Sequence, residues 1–537
     1  MLQIEGIKLN LDQDEALLRE KAAAALRVPA ESIRKLTVLR RAVDAREGVR
    51  LVYTLRAEVK DEARVLKRCR WAKVSRVTER PYVPPAPRPA PAVPPVVVGA
   101  GPGGLFAALT LAQAGQRPIL LEQGQPVERR AEDVERFWAA GALDLHSNVQ
   151  FGEGGAGAFS DGKLNTGTRD LCHRYILEEL VRCGAPESIL WDAKPHVGTD
   201  YLHLVLVNLR RQLEELGCDI RFGHRLTGLR LADGRLRALE VEGPEGPYIL
   251  PAEQAVLALG NSARDTFEAL YAAGVPMEAK PMAVGVRIEH RQADLDAAQY
   301  KSMAGHPRLG AASYKLSCHL AGGRGVFSFC VCPGGTVVAA ASEAERAVTN
   351  GMSLYARDGE NINGGLLVSV GPSDYGGEGP LAGIAFQRAL EERSYAAGGG
   401  GYFAPAQRVE DFLARRPSAG PGRVRPTYRP GVTWGDLWQV LPDFICQALA
   451  EALPILDRKL PGFAQGDAVL TAVESRSSCP LRILRDAEGQ SPVRGLWPCG
   501  EGAGYAGGIM SAAADGIRAA WAVLAAGEYL SSRPGRK

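Results

Sequence analysis

The chain has 537 residues, of which 46% are hydrophobic and 23% are charged, as in a folded globular protein of several domains. Its 64 Lys and Arg residues against 61 Asp and Glu residues give a net charge of +3, which argues against a protein that coats nucleic acid. No apolar run approaches about 18 residues and no basic-then-apolar leader opens the chain, so we expect a cytoplasmic protein without a membrane span. Ten cysteines are too few for a disulfide scaffold, whereas 62 glycines indicate many tight turns.

Residues 1–80 are predicted to be a small basic module, with 19 Lys and Arg residues against 12 Asp and Glu residues. Periodicity and N-cap residues predict strands at 4–9, 36–43 and 49–59, a helix from Asp12 or Asp14 to Leu26, and a helix at 61–69. This alternation predicts a ferredoxin-like α+β domain. Its charge fits either a solvated surface or a docking surface for an acidic partner or RNA. Because no aromatic-rich strand accompanies the charge, RNA is disfavoured.

A proline-rich segment, 81–95, follows this module and contains eight prolines. Such a composition predicts a stiff polyproline-II spacer, and a proline-motif ligand for another protein would have the same composition. We interpret the segment as a linker that separates two domains.

A strand–turn–helix pattern begins directly after the linker. Gly99, Gly101 and Gly104 follow a buried Val-Val-Val strand with GxGxxG spacing. In dinucleotide-binding folds the first glycine permits a tight turn, the second lets the backbone approach a pyrophosphate, and the third lets helix and strand pack closely. Glu122 ends the next strand, where it can accept hydrogen bonds from ribose hydroxyls and favours FAD or NAD over NADP. The elements of this pattern are a strand at 96–98, a helix at 105–114 and a strand at 118–121.

The C-terminal region decides between FAD and NAD. GxGxxG spacing recurs from Gly152 and from Gly502, but neither copy precedes an acid-ended second strand. Residues 495–504 instead predict a strand that ends in an acid and a glycine turn, and a helix follows at 509–525. In large FAD proteins such an element closes over the ribityl chain, and its helix N-terminus stabilises negative charge at the flavin pyrimidine edge. Paired with the first fingerprint, it favours FAD.

Several strings of the sequence are long enough to compare with known families. They are Asp44–Arg46, Asn148–Leu164, Phe329–Gly335, Val348–Ser353, Glu474–Pro480 and Gly500–Gly508. In these strings the chain resembles a bacterial family of uncharacterised FAD-dependent dehydrogenases, within the glutathione-reductase-like flavoproteins. The resemblance covers nearly the whole chain and implies a fold and FAD as cofactor, but no substrate. Leu259 stands where related flavoproteins often carry Thr, which removes a hydroxyl near the site and leaves the backbone N–H groups.

A third glycine-rich segment, 152–164, has too few apolar side chains to pack a core, but its N–H groups can wrap an anionic ligand. In related flavoproteins the matching stretch runs along the pyrophosphate and toward the isoalloxazine. The predicted cofactor-binding residues are Gly99, Gly101, Pro102, Gly103, Gly104, Glu122, Gln123, Arg130, Gly154, Gly155, Ala156, Phe159, Ser160, Gly162, Lys163, Leu226, Gly260, Gly500, Glu501, Gly508 and Ile509.

Three side chains are candidates for catalysis. Lys163 is either a surface lysine or a positive charge near the flavin N5 or a substrate anion. Arg476 is either a ligand for a substrate carboxylate or a salt-bridged core residue, and Tyr505 either stacks near the flavin or packs. Cys330 and Cys332 should face the same side of a strand. Because no second pair or His cluster follows at metal-ligand spacing, and redox-active cysteines are usually spaced further apart, we interpret both as buried, inert thiols.

We therefore predict an α/β protein with a Rossmann-like, two-dinucleotide-fold FAD domain, an inserted α+β substrate or cap region and a small ferredoxin-like domain. The predicted ranges are 1–80 for the N-terminal domain, 81–95 for the linker, 96–264 and 471–537 for the FAD domain, and 265–470 for the substrate region. The predicted activity is hydride or two-electron transfer between a small organic substrate and non-covalent FAD. NAD(P)H, oxygen, a quinone or a protein is the expected electron partner. Two alternatives stay open: an FAD-dependent enzyme that modifies RNA or protein, and a non-catalytic flavin-binding module. The sequence predicts no metal site.

Overall fold

The structure is a computed structural model that describes residues 1–46, 48–69, 73–78, 80–167, 170–377 and 379–531. The last part of the predicted FAD domain, 532–537, lies outside the described residues. The helices are α1 Leu17–Leu26, α2 Glu62–Arg68, α3 Pro102–Gln113, α4 Val127–Ala140, α5 Cys172–Arg182, α6 Gly198–Glu215, α7 Arg264–Ala272, α8 Gln292–Tyr300, α9 Ala382–Ala397, α10 Val409–Leu413, α11 Asp443–Lys459 and α12 Ile509–Ser531.

The earlier strands in chain order are β1 Leu2–Asn10, β2 Ile33–Asp44, β3 Arg50–Val59, β4 Val74–Arg76, β5 Val96–Val98, β6 Ile119–Glu122, β7 Asp219–Phe222, β8 Arg225–Ala232, β9 Arg235–Gly243, β10 Gly246–Pro251 and β11 Ala255–Leu257. The later strands are β12 Met277–Ala279, β13 Met282–Arg291, β14 Ser317–His319, β15 Gly325–Cys332, β16 Thr336–Ala339, β17 Thr349–Met352, β18 Asn361–Val370, β19 Ala404–Arg408, β20 Val432–Trp434, β21 Val469–Glu474, β22 Leu481–Ile483 and β23 Leu496–Pro498.

The N-terminal part contains a four-stranded antiparallel sheet in the order β2-β3-β1-β4, with α1 and α2 completing a βαββαβ chain order, the pattern of ferredoxin-like domains. The predicted strands and helices of this part all exist. The predicted N-caps are wrong, because α1 begins after Ala16, whose side chain makes no cap hydrogen bond. The Asp14 carboxylate instead accepts a hydrogen bond from the Ala16 N–H at 2.8 Å and stabilises the turn before the helix.

Polar contacts dock this small sheet onto the rest of the chain. Arg308 donates to the Leu11 carbonyl oxygen at 2.9 Å and to the Tyr53 hydroxyl at 3.2 Å. On the other side, Arg41 of β2 donates to the Asp192 carboxylate at 2.9 Å. Two separate elements of the small domain are therefore held against the larger body.

The proline-rich segment is laid along the surface of the larger body. The Arg88 N–H donates to the Ala114 carbonyl oxygen at 2.9 Å, and the ring of Tyr82 lies 4.8 Å from that of Tyr175. Trp521 donates its indole N–H to the Tyr82 hydroxyl at 2.9 Å. These contacts hold the proline-rich segment against the surface of the larger body.

A five-stranded parallel sheet follows, in the order β23-β11-β5-β6-β7. Strands β5, β6, β11 and β23 are buried throughout, as apolar strands at the centre of a parallel sheet are. The strands predicted at 96–98 and 118–121 are confirmed as β5 and β6. All carboxyl ends of such a sheet lie at one edge, which is where open α/β sheets bind ligands.

Helix α12 packs against α3 on this sheet. A Cβ on Gly516 would lie 1.9 Å from the Gly103 carbonyl oxygen, so the two helices touch through backbone atoms. In the part of the chain that the structure describes, the stretch Ile509–Gly527 is the single helix long and apolar enough to cross a membrane, by length and composition alone, and 61% of it is buried inside the protein. Asp515 and Arg518 interrupt this stretch, so it is not the unbroken apolar run whose absence the sequence analysis noted. Burial against α3 and the sheet explains its composition.

The region predicted to bind substrate is built on a seven-stranded mixed sheet in the order β14-β15-β18-β13-β21-β19-β20. Its central strands β13 and β18 are almost wholly buried, and α11 packs beside them. The domain boundary predicted between 470 and 471 falls inside β21, which pairs with β13 in this sheet. The return to the parallel sheet therefore begins after Glu474.

Candidate functional site

Three glycine turns meet at the carboxyl edge of the parallel sheet. β5 leads into Gly99, β11 into Gly260 and β23 into Gly500, with φ values of +99°, +74° and +76°. Side chains are strained in this backbone region, which explains glycine at each turn. Because β23, β11 and β5 are neighbours, the three turns lie side by side and border one place at this edge of the sheet. We call it the glycine cleft, and define it by Gly101, Gly155, Gly260, Glu501 and Gly508.

Close backbone contacts build the first turn. A Cβ on Gly104 would lie 1.7 Å from the Gly99 carbonyl oxygen, and a Cβ on Gly99 would lie 2.4 Å from that of Ala258. Gly101 is the N-cap of α3 and Pro102 occupies its first position. The first N–H groups of a helix have no acceptor within the helix. At this N-terminus they face the glycine cleft, as an anion-binding site requires.

The segment 152–164 forms the opposite wall of the cleft. The Gly154 N–H donates to the Ala100 carbonyl oxygen at 2.8 Å, and a Cβ on Gly155 would lie 3.2 Å from the Gly101 Cα. At the far end of this wall, a Cβ on Gly157 would lie 3.3 Å from Ile509 at the start of α12. The predicted cofactor segments are therefore brought together at one place.

Arg130 holds this wall in shape. Its guanidinium is fully buried and donates to four carbonyl oxygens, at 2.6–2.9 Å, those of Asn148, Val149, Glu153 and Gly155. Burial lowers the pKa of Arg130 to about 10. Because four of its N–H groups are used by the protein, its role differs from the predicted direct contact with a cofactor.

Glu122 also binds the protein itself. Its buried carboxylate accepts hydrogen bonds from the N–H groups of Ala100, Gly124 and Gly152, at 2.8, 2.9 and 3.0 Å. The side chain thereby joins the first glycine turn to the opposite wall. Its contact with a ribose stays a prediction.

Glu501 lies at the end of β23, partly buried in the glycine cleft. Its carboxyl oxygen accepts a hydrogen bond from the Asn261 amide at 2.8 Å. Burial raises the pKa of Glu501 to about 7, against the opposing effect of the Gly508 N–H and Asn261. A carboxyl that holds its proton near neutral pH can donate a hydrogen bond to a phosphate or ribityl oxygen. Asn261 was not among the predicted residues, and its place directly after the strand-end Gly260 is the signal that would have found it.

The other predicted cofactor-binding residues differ in their exposure to solvent. Gly260 and Gly508 are exposed, with open space where a Cβ would stand. Partly exposed are Gly99, Gly101, Pro102, Gln123, Gly155, Ala156, Ser160, Lys163, Glu501 and Ile509. Buried in backbone or core contacts are Gly103, Gly104, Gly154, Gly162 and Gly500.

Two predicted side chains are covered by the protein. Phe159 is 3% exposed, and its ring packs edge-on to Trp138 and beneath the Arg130 guanidinium. Leu226 is 3% exposed in the core beneath the β8–β9 pair. The side chains of both residues support the walls of the cleft and do not line it.

Lys163 joins the segment 152–164 to β15 of the seven-stranded sheet. Its ammonium lies 2.9 Å from the Asp161 carboxylate and 3.8 Å from the Cys332 sulfur. Asp161 also accepts two hydrogen bonds from Arg357, at 2.9 and 2.6 Å. Burial acts to raise the pKa of Asp161, but Lys163 and Arg357 outweigh it, and the pKa falls below its ordinary value. Lys163 is therefore not a free surface lysine.

Cys330 and Cys332 do not face the same side. Cys330 is exposed, whereas Cys332 is buried. The pairing of β15 with β18 shifts between Phe329 and Cys332, and Cys330 has φ +39°. This irregularity breaks the strand alternation on which the prediction depended. The interpretation as two buried thiols is thus wrong for Cys330.

Arg476 belongs to a buried ionic network. It donates to both carboxylate oxygens of Glu391, at 3.0 and 2.8 Å, and Arg264 donates to the same two oxygens at 2.7 and 2.8 Å. Of the two predicted roles, the structure has the salt-bridged one. The network is linked to the glycine cleft through the backbone, where Asn261 donates to the Arg476 carbonyl oxygen at 2.9 Å.

Tyr505 packs against an arginine behind the last glycine turn. The Arg485 guanidinium lies 3.8 Å from the centre of its ring. Arg485 in turn binds both oxygens of Asp515 at 2.9 Å, and Asp515 accepts the Gly500 N–H at 2.8 Å. Tyr505 therefore braces the turn, and one face of its ring is already occupied.

The glycine cleft fits an extended dinucleotide. The N-termini of α3 and α12 face it, two opposed walls of glycine permit close approach, and open space stands where side chains would be at Gly260 and Gly508. These features define the class of dinucleotide-binding proteins with a second, sheet-based domain.

Comparisons with known families agree with this class. Residues 95–191 match the family described as FAD binding domain, residues 281–477 match "FAD-dependent protein, C-terminal domain-like", and residues 1–60 match a domain of unknown function. The chain thus contains an FAD-binding domain. An uncharacterised protein of Clostridium beijerinckii is 44% identical over 525 residues, which are 97% of this chain and 98% of that protein. The chain belongs to the same family as this clostridial protein.

Solved structures with a partial likeness to the chain have low sequence identity to it. The quinol fumarate reductase subunit of E. coli is 12% identical, with a TM-score of 0.36 over 83% of this chain and 72% of that one. The FAD complex of glycerol-3-phosphate dehydrogenase from Bacillus halodurans is 12% identical, with a TM-score of 0.36 over 82% of this chain and 66% of that one. BexE is 16% identical with a TM-score of 0.32, and the likeness covers 81% of this chain but only 63% of BexE.

Proposed function

We propose that the protein is an FAD-dependent oxidoreductase that moves two electrons between a small organic substrate and non-covalently bound FAD. The observation that carries the proposal is the meeting of two helix N-termini and three glycine turns in one cleft, beside a second sheet. An FAD-binding domain match over residues 95–191 supports the cofactor. When bound, FAD supplies an acceptor or donor of two electrons.

Different residues of the chain would bind different parts of the cofactor. The N–H groups at the start of α3, next to Gly101, are placed for the pyrophosphate. Glu501 and Asn261 are placed for ribityl or phosphate oxygens. The N-terminus of α12, at Gly508, would stabilise negative charge on the flavin ring through its dipole.

The substrate would bind between the glycine cleft and the seven-stranded sheet. Three contacts join segments beside the cleft to the region of this sheet: one reaches β15 of the seven-stranded sheet, and two reach the end of β16, which pairs with β17. The Trp138 indole N–H donates to the Ala339 carbonyl oxygen at 2.9 Å, the Gln150 amide donates to that of Ala340 at 3.2 Å, and Lys163 reaches Cys332. A site enclosed by both bodies excludes water from the reacting groups.

We also propose an electron partner for the cofactor and a cellular location for the protein. NAD(P)H or a redox protein would exchange electrons with the cofactor, and a cytoplasmic setting fits the ten unpaired thiols. The basic N-terminal domain is docked through Arg308 and Arg41, so it would move with the catalytic body if it binds a partner.

The variant Gly101→Val tests the cofactor site. Gly101 has φ −74°, and a Cβ there would have no neighbour closer than Gly155 Cα at 3.9 Å. Valine therefore fits the fold but fills the space in front of the helix N-terminus. We expect FAD affinity to fall by about a hundredfold or more, equivalent to about 2.7 kcal/mol, with an unchanged midpoint of urea unfolding for the apoprotein.

Gly322→Val is the matched control. Gly322 is exposed, has no heavy atom within 4 Å of a would-be Cβ, and lies far along the chain from the glycine turns. This variant should bind FAD as the wild type does. Equal FAD affinity in Gly101→Val and wild type, measured by flavin fluorescence titration, would overturn the cofactor site.

An anaerobic visible spectrum tests the reaction class. The FAD-loaded protein should bleach in its visible flavin band when NADH, NADPH or an organic substrate is added. Bleaching by a nicotinamide would identify the electron donor, whereas bleaching by an amine or hydroxy acid would identify a substrate-fed enzyme. A flavin that dithionite reduces but that no member of such a panel bleaches would favour the non-catalytic binding module instead.

A further inference from the structure

An open cavity of about 470 Å³ lies where the N-terminal domain meets the region of the seven-stranded sheet. His306 lines this cavity, and its ring nitrogen lies 3.3 Å from the Asp12 carboxylate of the N-terminal domain. Binding sites for small molecules are commonly clefts of about 300–1,000 Å³ at such domain interfaces. None of the described residues that line the cavity belongs to the glycine cleft. We call it the α8 cavity and define it by Arg291, Asp296, Tyr300, Asp358 and Glu360.

One face of α8 forms a wall of the cavity. Gln292, Asp296 and Tyr300 line it at intervals of four residues, and this spacing places side chains on one side of a helix. Within the described chain, Asp296 accepts hydrogen bonds from the Gln292 amide at 2.8 Å and from the Ala312 N–H at 2.8 Å. Both reach Oδ1, so Oδ2 of this carboxylate is available to a ligand.

Tyr300 supplies a hydroxyl without a partner at the end of this wall. The residue is 8% exposed, and in the part of the chain that the structure describes no group forms a hydrogen bond with its hydroxyl. Burial and the charge of Asp296 raise the pKa of Tyr300, so the hydroxyl is neutral and can accept a hydrogen bond. The protein does not enclose this oxygen, which therefore opens onto the cavity. Buried polar groups are almost always hydrogen-bonded, so this hydroxyl indicates a bound molecule.

The other end of the cavity carries charged groups without partners. Arg291 precedes α8, and the Gln292 N–H donates to the Glu360 carbonyl oxygen at 2.8 Å, which brings the turn with Asp358 and Glu360 to this end. Among the described residues, none forms a side-chain hydrogen bond or ion pair with Arg291, Asp358 or Glu360. The Arg357 guanidinium, which also lines the cavity, is already bound to a carboxylate. This end therefore offers one cation and two carboxylates.

The charged groups of the cavity are spread out along its length. In the described chain no three His, Cys, Asp or Glu side chains are grouped as a metal ion requires. A helix rises about 1.5 Å per residue, so Asp296 lies about 7.5 Å along α8 from Arg291, and Tyr300 lies about 6 Å further. A ligand that meets all of these groups is an extended molecule with separated charges.

We propose that the α8 cavity binds a free basic amino acid, a molecule with one carboxylate and two positively charged nitrogen groups. Its carboxylate pairs with the Arg291 guanidinium, whose planar fork matches a carboxylate. Its α-ammonium group lies between Asp358 and Glu360. Binding is non-covalent and independent of FAD, so the inference goes beyond the proposed function.

The side chain of the ligand extends along α8. Its terminal cation meets Asp296 Oδ2 and the Tyr300 hydroxyl, and Leu309 in the lining contacts its aliphatic stem. A diamine would leave Arg291 facing a second cation, and an acidic amino acid would bring its side-chain carboxylate against Asp296. The arrangement of charges therefore selects a basic amino acid over both.

Calorimetric titration of the full-length protein with three probes tests this site. L-Lysine should bind saturably at one site per chain. Cadaverine lacks the carboxylate of lysine, and L-norleucine lacks its side-chain ammonium group. Each should bind about tenfold more weakly or worse, because each leaves a charged group of the cavity unpaired. Lack of saturable binding by L-lysine, L-arginine and L-ornithine overturns the proposal, and so does equal affinity for L-lysine and either of the other two probes.

Two substitutions assign the ends of the ligand to the cavity. Arg291→Met should abolish the preference for L-lysine over cadaverine. Tyr300→Phe should weaken L-lysine binding by about fivefold and leave L-norleucine binding unchanged. Glu488→Gln, which changes an exposed carboxyl outside the cavity, is the control and should bind all three probes as the wild type does.

The substitutions also give results that would overturn the assignment. An Arg291→Met protein that still prefers L-lysine to cadaverine binds it elsewhere, as does a Tyr300→Phe protein with wild-type affinity for L-lysine. Tyr300→Phe removes a hydroxyl that has no partner within the described chain, so the fold should be unchanged. Should this variant fail to fold, Asp296→Asn gives the same comparison of L-lysine with L-norleucine, because asparagine keeps the oxygen that accepts from Gln292.

Discussion

Glu501→Gln should remove a pH dependence of stability that the wild-type protein shows between pH 4.5 and about pH 7. The pKa of Glu501 rises from 4.5 to about 7 because burial in the cleft disfavours the ionised form more than the Gly508 N–H and Asn261 favour it. The folded protein therefore binds this proton more tightly than the unfolded chain does.

The sign and the size of the effect follow from proton linkage. Between the two pKa values the folded state holds more protons than the unfolded state, so the free energy of unfolding falls as the pH rises through this window. Each pH unit is worth about 1.36 kcal/mol, which gives about 3 kcal/mol above pH 7. Because Glu501 is partly exposed to the cleft, solvent reduces the effect and this figure is an upper value.

Glutamine keeps the shape and the acceptor oxygen of Glu501 but carries no charge. At pH 5 the variant and the wild type should have similar stability. At pH 8 the variant should be more stable, by up to about 3 kcal/mol. Urea unfolding of the apoprotein, followed by tryptophan fluorescence at both pH values, measures this difference.

An exposed carboxyl gives the matched control. Glu488 is exposed in a turn, and Glu488→Gln should change the stability equally, and little, at both pH values. The reasoning is refuted if the wild type and Glu501→Gln lose the same stability between pH 5 and pH 8. FAD affinity should follow the same window, weakening above pH 7 in the wild type as the carboxyl loses the proton that it can donate to the cofactor.

Three further substitutions test the supports of the site. Glu122→Ala leaves three backbone N–H groups without an acceptor and should cost about 3–5 kcal/mol in urea unfolding, and it should weaken FAD binding as well. Glu391→Gln breaks a buried carboxylate between two arginines and should cost about 3–5 kcal/mol at neutral pH. Because those arginines lower the pKa of Glu391, the stability it adds is present above pH 4.5 and lost as the pH falls below it, so the difference should shrink in acid. Gly104→Ala places a Cβ 1.7 Å from a backbone oxygen and should cost about 3 kcal/mol or more.

Each of these has an outcome that contradicts it. Gly527→Ala, in open space on α12, is the control for Gly104→Ala and should stabilise the protein by about 1 kcal/mol; a neutral Gly104→Ala would show that α3 and the first turn are looser than described. Glu391→Gln with a constant deficit from pH 7 to pH 3 would place its effect in packing and not in charge. Glu122→Ala with unchanged stability would mean that water replaces the carboxylate at no cost.

Most elements of secondary structure could be predicted from local patterns. The Val-Val-Val strand, the glycine turn and the helix at 102–113 follow from apolar periodicity and from the restricted choice of residues at turns. In the N-terminal sheet, β3 alternates buried and partly exposed side chains, as its alternating sequence pattern predicts. The N-cap of α1 was predicted wrongly because the Asp14 carboxylate accepts a hydrogen bond in an Asx-type turn before the helix. A carboxylate at such a position can cap a helix or stabilise a turn, and local sequence rules do not distinguish these two uses.

The partners of individual side chains could not be predicted in the same way. Arg130 and Glu122 bind backbone groups up to 30 residues away, and Arg476 binds a carboxylate 85 residues away. Sequence reasoning recognised these as charged residues near a cofactor motif, but charge alone does not tell a ligand contact from a structural clamp. Only the folded chain shows which donors and acceptors are already occupied.

The sequence by itself determined the dinucleotide fingerprint, the order of strands and helices around it and the class of cofactor, because these depend on residue type at short spacing. The tertiary structure decided which of those residues face the glycine cleft and which support it. It also exposed Cys330 and buried Cys332, since a register shift in one strand pair reverses the alternation that spacing predicts. Short-range spacing is dictated by backbone geometry, whereas partners across the fold depend on packing that brings distant segments together.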